Sequence, residues 1–311
     1  MKHYLGIEVI DDIYSWTREA RKLKEDPLAY SQLGIGKTLG LLFFNNSLRT
    51  RMSTQKAAYN LGLNVMVLNV GQDGWALEFE EDVIMDGASA EHIKEAAAVM
   101  GQYCDLIGVR AFAGLKNKEL DEKDKVLNAL ATYSGIPVIN LEGTLVHPLQ
   151  ALADAITITE NMTVERPKVV LSWAPHPRAL PHAVPHSFVR MAQQMDLDLV
   201  ITHPKGYELD PRVTQHIPIE YDQNEALKGA DFVYVKNWSS YSPYGKILTK
   251  DANWMMDQKK LGSAFFMHCL PVRRNVVVAG EVLDGKKSLV IEQANNRTYA
   301  AQLVLKKLLG S

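Results

Sequence analysis

Short apolar runs rich in Val, Leu and Ile alternate along the chain with longer stretches whose apolar residues recur at helical spacing. The runs Thr38–Phe44, Val65–Leu68, Leu106–Val109, Val138–Leu141, Val169–Ser172, Leu197–Thr202, Phe232–Val235, Ala264–Met267 and Leu289–Ile291 read as strands. Between them, Met52–Leu61, His92–Tyr103, Lys123–Tyr133, Pro148–Thr159, Ala183–Met195 and Asn253–Lys260 read as helices. A last helix is expected from about Arg297 to Leu309. Continuous apolar strands alternating with helices predict an α/β fold with parallel sheets covered on both faces. This many strands overfills one open sheet, so two doubly wound parallel-sheet domains are expected, residues 1–148 and 149–294. The helix at Pro148–Thr159 is the expected crossing between them.

Composition narrows the class without naming it. The chain has 311 residues, 47% hydrophobic and 23% charged, with a net charge of −2. These values fit a globular protein and offer no electrostatic reason to bind nucleic acid or a membrane surface. No apolar run approaches the roughly 20 residues of a membrane-spanning helix. The N-terminus, MKHYLGIEVIDDIYSW, carries acids early and lacks a signal-peptide core. Cys104 and Cys269 are too few for a disulfide framework. A reduced, cytoplasmic protein is expected.

In doubly wound sheets the ligand site lies at the carboxyl ends of the strands. The residues that follow each expected strand are therefore the candidates. They are Ser47-Leu48-Arg49-Thr50-Arg51; Arg110; Glu142 with His147-Pro148-Leu149-Gln150; Trp173-Ala174-Pro175-His176-Pro177-Arg178; Lys236-Asn237-Trp238; His268-Cys269-Leu270-Pro271-Val272-Arg273-Arg274; and Glu292 with Asn296-Arg297. The first tract stands where a strand hands over to a helix. Free backbone N–H groups and the positive end of the helix dipole favour an anion there, and forked guanidiniums suit phosphate.

Each candidate also has a plain structural reading. Ser47 and Thr50 can simply cap a helix, His147 and His176 can be loop histidines, and Cys269 can be a small buried residue. Arg273 and Arg274 read as solvated or structural. Trp75, in a Gly-rich loop, either packs locally or reaches a neighbouring subunit's site. No GxGxxG or GxxxxGK[ST] is present, which removes the main support for a nucleotide site. No Cys or His cluster has metal-ligand spacing.

Taken together, the tracts resemble the aspartate/ornithine carbamoyltransferase family along nearly the whole chain. Ser47-Leu48-Arg49-Thr50-Arg51 is similar to its S-x-R-T-R motif, His147-Pro148-Leu149-Gln150 to its H-P-x-Q motif, and His268-Cys269-Leu270-Pro271 to the H-C-L-P of its ornithine branch. The resemblance implies a carbamoyl-phosphate domain, an amino-acid domain and a homotrimer with shared active sites. The C-terminal helix, 295–311, would return to the first domain. No metal or organic cofactor is implied. Ser47, Arg49, Thr50, Arg51 and the backbone at Leu48 would hold the phosphate, Arg297 would complete the anion pocket, and Trp75 would come from the adjacent subunit. Arg110 and His147 would polarise the carbamoyl oxygen. Gln150 and the carbonyls near Cys269 and Leu270 would orient the carbamoyl NH₂. A relative that had lost catalysis would keep the fold and lose these side chains.

The second substrate is read from departures within the family. Ordinary ornithine enzymes place an Asp near the position of Val235-Lys236-Asn237-Trp238, where it meets the α-ammonium. Lys236 would repel that ammonium and suits a carboxylate, so the α-nitrogen is expected to be acylated. His176, Arg178, Lys236 and Glu142, with Cys269 and Leu270, are the expected contacts of that acylornithine. Acetylornithine enzymes have a Glu, and succinylornithine enzymes a Pro, at the position of Ala90. Ala90 leaves space without negative charge, and Arg178 can fork onto a carboxylate. The partners implied are carbamoyl phosphate and N-succinyl-L-ornithine, with N-acetyl-L-ornithine as the alternative.

Overall fold

The computed structural model describes residues 1–310; Ser311, at the end of the expected final helix, lies outside the described residues. Two parallel sheets are present. In the four-stranded sheet the order is Asn64–Asn69, Thr38–Phe43, Leu106–Arg110, Val138–Glu142. In the five-stranded sheet it is Phe265–Met267, Phe232–Lys236, Lys168–Trp173, Asp198–Thr202, Ile219–Glu220. A short parallel ladder pairs Leu77–Glu78 with Glu91–His92. Every expected strand but the last lies within one residue of its expected bounds. Apart from the edge strand Asn64–Asn69, where Met66 is exposed, most of their apolar side chains are buried on both faces, as helix-covered parallel strands require.

The exception is Leu289–Ile291. Leu289 is the residue before a helix that runs Val290–Leu309. Three apolar residues are too few to distinguish a strand from the first turn of a helix. The buried set Val290, Gln293, Arg297, Ala300, Ala301, Val304 and Leu308 recurs at three- and four-residue spacing, and that longer pattern decides the outcome. Arg297 therefore stands two turns inside a helix and not beyond a strand end. The helix expected at Asn253–Lys260 is instead a 3₁₀ turn, Ala252–Trp254, and a single turn, Gln258–Leu261.

Absent from the expected elements is the helix Ile13–Glu25. Asp12 caps it by accepting from the Ser15 amide at 2.9 Å, and it buries Ile13, Trp16, Ala20 and Leu23 along one stripe. That stripe faces the final helix, which also packs on the helices Arg49–Asn60 and Pro148–Asn161. The helix Pro148–Asn161 is buried without a break from Pro148 to Ile158. It packs on the helices Ile13–Glu25 and Ala183–Gln194 and on the final helix, and carries His147 and Gln150 at its start. The carboxyl ends of the strands, the first turn of Arg49–Asn60 and the second turn of the final helix thus meet in one place.

Candidate active site

The helix Arg49–Asn60 begins six residues after the strand Thr38–Phe43 ends, with Leu48 as its N-cap. Ser47 Oγ accepts from the Thr50 amide at 3.2 Å, a capping contact that fixes the turn. Leu48 is 66% exposed, so only its backbone faces the turn. Arg49 is half-buried and its Nε has no partner in the described structure. Burial lowers its pKa, and Arg110 adds repulsion. Arg51 lies over the Phe43 ring at 4.7 Å and donates to Asn69 Oδ1.

Arg297 comes to this turn from the final helix. Its Nη2 donates to Thr50 Oγ1 at 2.7 Å and its Nη1 to Gln150 Oε1 at 2.8 Å. Its Nε is buried without a partner, and burial brings its pKa down to about 10. Arg110, the last residue of its strand, donates from Nε and Nη2 to Glu142 Oε2 at 3.1 and 2.9 Å. Its Nη1 donates to the carbonyls of Asn45 and Asn46 at 3.0 and 2.6 Å, and the guanidinium stacks on Phe112. These bonds fix the fork relative to the turn at Ser47–Arg51.

His147 is buried at the start of its helix, its amide donating to Ser187 Oγ at 2.7 Å. Its Nε2 lies 3.8 Å from Glu142 Oε2, and its Nδ1 has no partner. Desolvation pulls its pKa well below the ordinary value, and Arg297, Arg110, Arg49 and Lys236 push the same way. The imidazole is therefore neutral at physiological pH, with one nitrogen able to donate a hydrogen bond.

The second sheet contributes the other wall. Lys236 ends its strand, is 8% exposed, and donates to the Asn237 carbonyl at 3.0 Å. It forms no ion pair among the described residues. A buried ammonium without a counter-charge favours an anionic ligand. The His268 amide donates to Gln293 Oε1 at 3.0 Å, and the Leu270 amide to His268 Nδ1 at 2.8 Å. Leu270 has φ 55°, a left-handed conformation costing a non-glycine residue about 1–3 kcal/mol. The two bonds hold this turn in place. Burial raises the Cys269 thiol above its usual range, so it remains a neutral thiol and is no nucleophile. His176 Nδ1 accepts from the Arg178 amide at 3.0 Å, and its Nε2 lies 3.2 Å from Arg273 Nε. Arg274 instead pairs with Asp284 at 2.7 Å, away from this wall.

Arg49, Arg110, Arg297 and Lys236 thus act together on His147, with Glu142 as the paired carboxylate among them. Such an excess of positive charge, next to a helix N-terminus, suits a multiply charged anion. Trp75 and Ala90 are not in this cluster. They lie on two exposed segments, each leading into one strand of the short ladder, where Trp75 Nε1 donates to Glu91 Oε2 at 2.8 Å and the Ala90 amide to the Ala76 carbonyl at 3.1 Å. Sequence reasoning missed Asn45, Asn46, Ser187 and Gln293. The pair Asn45-Asn46 directly precedes the phosphate tract and was the available signal; Ser187 and Gln293 act through contacts that only the tertiary fold creates. Among the described residues no cluster of His, Cys, Asp or Glu is placed to hold a metal, and no helix is long and apolar enough to cross a membrane.

Comparison with known proteins agrees with this arrangement. Residues 2–160 match the carbamoyl-P binding domain of aspartate/ornithine carbamoyltransferases, and residues 182–308 match the Asp/Orn binding domain. The chain belongs to the aspartate/ornithine carbamoyltransferase family. An N-succinylornithine carbamoyltransferase of Bacteroides thetaiotaomicron is 50% identical over 314 residues, covering 99% of each chain. Among solved structures, acetylornithine transcarbamylase complexed with acetylcitrulline superposes with a TM-score of 0.93 at 34% identity, covering 100% of both chains. A glutamate-to-alanine variant of N-acetyl-L-ornithine transcarbamylase, complexed with carbamyl phosphate and N-succinyl-L-norvaline, gives the same TM-score and identity over 99% of this chain and 100% of that one. Family membership, two-domain α/β architecture and carbamoyltransferase chemistry follow.

Proposed function

We infer that this chain transfers the carbamoyl group of carbamoyl phosphate to the δ-amine of N-succinyl-L-ornithine, giving N-succinyl-L-citrulline and phosphate, a step of arginine biosynthesis. The observation that carries the reading is the cluster of Arg49, Arg110, Arg297 and Lys236 about His147, with Glu142 paired to Arg110. The phosphate occupies the turn at Ser47–Arg51, bound by the amides there and by Arg49, Thr50, Arg51 and Arg297. Arg110 and neutral His147 donate to the carbamoyl oxygen. The neutral δ-amine attacks the carbonyl carbon, and negative charge grows on that oxygen where the two donors are already fixed. The bond from carbon to the bridging oxygen then breaks. The departing phosphate takes the proton lost by the attacking amine. Positioning and preorganised charge supply the acceleration, and no covalent enzyme intermediate is formed.

Lys236, His176, Arg178 and Glu142 receive the acylornithine. The Bacteroides thetaiotaomicron relative, an N-succinylornithine carbamoyltransferase, supports the succinyl group, and so does the solved glutamate-to-alanine variant that holds N-succinyl-L-norvaline. Residues 1–148, with the C-terminal helix, form the carbamoyl-phosphate domain, and 149–294 the acylornithine domain. The enzyme acts in the cytoplasm as a homotrimer whose Trp75 and Ala90 segments serve the adjacent subunit's site; the exposure of Trp75, 61%, supports that placement. The deciding measurement is citrulline-type product formed from ornithine, N-acetylornithine and N-succinylornithine side by side. Succinylornithine is expected to be fastest, and a preference for acetylornithine would reassign the acyl group. For the shared site, mixing inactive Arg110→Ala with inactive Trp75→Ala protein should restore part of the activity. Absence of recovery after demonstrated subunit exchange would place Trp75 in its own subunit's site.

A further inference from the structure

Behind the cluster lies a carboxylate that touches no expected substrate atom. Asp154 stands one helical turn after Gln150 and is 1% exposed. Its Oδ1 accepts from Gln150 Nε2 at 2.7 Å and from Gln293 Nε2 at 2.6 Å. Gln293 passes the contact on, because its Oε1 accepts from the His268 amide. Gln150 Oε1 is left facing Arg297. The buried Tyr234 hydroxyl lies against the same carboxylate. Desolvation raises the Asp154 pKa to about 7, so keeping this group here is costly and packing alone does not explain it.

An amide side chain has two nearly isosteric ends, one donating and one accepting. Asp154 Oδ1 accepts from both amides whether or not Oδ2 carries a proton. Asp154 therefore binds the NH₂ ends of both glutamines and turns both carbonyl ends outward. For Gln150 that is the acceptor the carbamoyl NH₂ requires, through the lone pair that the Arg297 bond leaves free. For Gln293 it is the acceptor that anchors the His268–Pro271 turn, whose carbonyls would meet the same NH₂ in the carbamoyltransferase reading. We propose that Asp154 is a positioning residue that sets both hydrogen-bond acceptors reading the NH₂ of carbamoyl phosphate, and so gives the site its preference for a carbamoyl over an acyl group. This inference rests on the carbamoyltransferase reading of the site.

Acetyl phosphate isolates the effect, since it keeps the phosphate and the carbonyl and replaces NH₂ with methyl. The experiment measures dissociation constants of both compounds by calorimetry for wild type, Asp154→Leu, Asp154→Asn and Gln293→Met. Wild type should prefer carbamoyl phosphate. Asp154→Leu removes the acceptor at similar volume and should weaken carbamoyl phosphate at least tenfold while moving acetyl phosphate less than threefold. Asp154→Asn keeps an oxygen at Oδ1 and should hold the preference within threefold of wild type. Gln293→Met tests the second arm and should lower the preference even if Asp154→Leu does not fold. Equal weakening of both ligands in every folded variant would make Asp154 merely structural and overturn the proposal. So would an unchanged preference in them. Failure of the underlying reading is separate: there wild type itself would not bind carbamoyl phosphate or form product.

Discussion

Arg49→Ala is expected to lower carbamoyl-phosphate affinity and turnover by at least an order of magnitude while the protein stays folded. The guanidinium is half-buried beside Arg110 and Arg297, its Nε has no protein partner, and desolvation already disfavours its charge. A phosphate would give it the missing acceptor. Charge-assisted hydrogen bonds of this kind are worth about 1.5–3 kcal/mol each, and about 1.4 kcal/mol is one decade. Because Arg49 is bonded to no other part of the described core, its removal should move the melting temperature little. Steady-state kinetics in carbamoyl phosphate, with a thermal melt as control, check this. Near-normal kinetics in folded Arg49→Ala would remove the phosphate site from the turn at Ser47–Arg51.

Ala90→Glu should cost N-succinylornithine more than tenfold in kcat/KM and cost N-acetylornithine less. The substitution brings a carboxylate toward the distal carboxylate of the succinyl group. At an effective dielectric near 20, like charges about 4 Å apart repel by roughly 4 kcal/mol. Ala90 lies on an exposed loop, and solvent screens much of that. About a third of it still makes a decade. N-acetylornithine lacks the distal carboxylate and escapes the repulsion. Both substrates are measured in wild type and variant. A preference for succinylornithine that survives Ala90→Glu unchanged would leave the reaction in place and move the acyl pocket away from this loop.

The parallel strands were legible because their burial on both faces leaves unbroken apolar runs, and their ends then pointed to Arg110, Glu142, His147 and Lys236 without any contact information. Arg297 was singled out for the wrong structural reason. It followed three apolar residues that look like a strand, whereas its position depends on a helix whose buried stripe mixes Gln293 and Arg297 with alanines and valines. The helix Ile13–Glu25 carried an ordinary amphipathic pattern and a capping Asp12 and could have been found. The carboxyl behind Gln150 could be placed on the right helix face from its four-residue offset, but its second partner comes from residue 293, which no local pattern connects. Trp75 and Ala90 stand furthest from what a single chain can explain, since their own hydrogen bonds reach only Glu91 and Ala76 beside the short ladder.

The final helix carries a temporal implication. It leaves the ribosome after every other element described above, yet Arg297 on it bridges Thr50 to Gln150, and Gln293 on it secures the His268 turn. A nascent chain can assemble its first sheet and helix Arg49–Asn60 well before that. Until the late helix docks, such a chain lacks the bridge from Thr50 to Gln150, and the faces of the helices Ile13–Glu25, Arg49–Asn60 and Pro148–Asn161 that the final helix covers stay exposed. Competence to bind carbamoyl phosphate would therefore arise late in maturation, together with protection of those faces from aggregation.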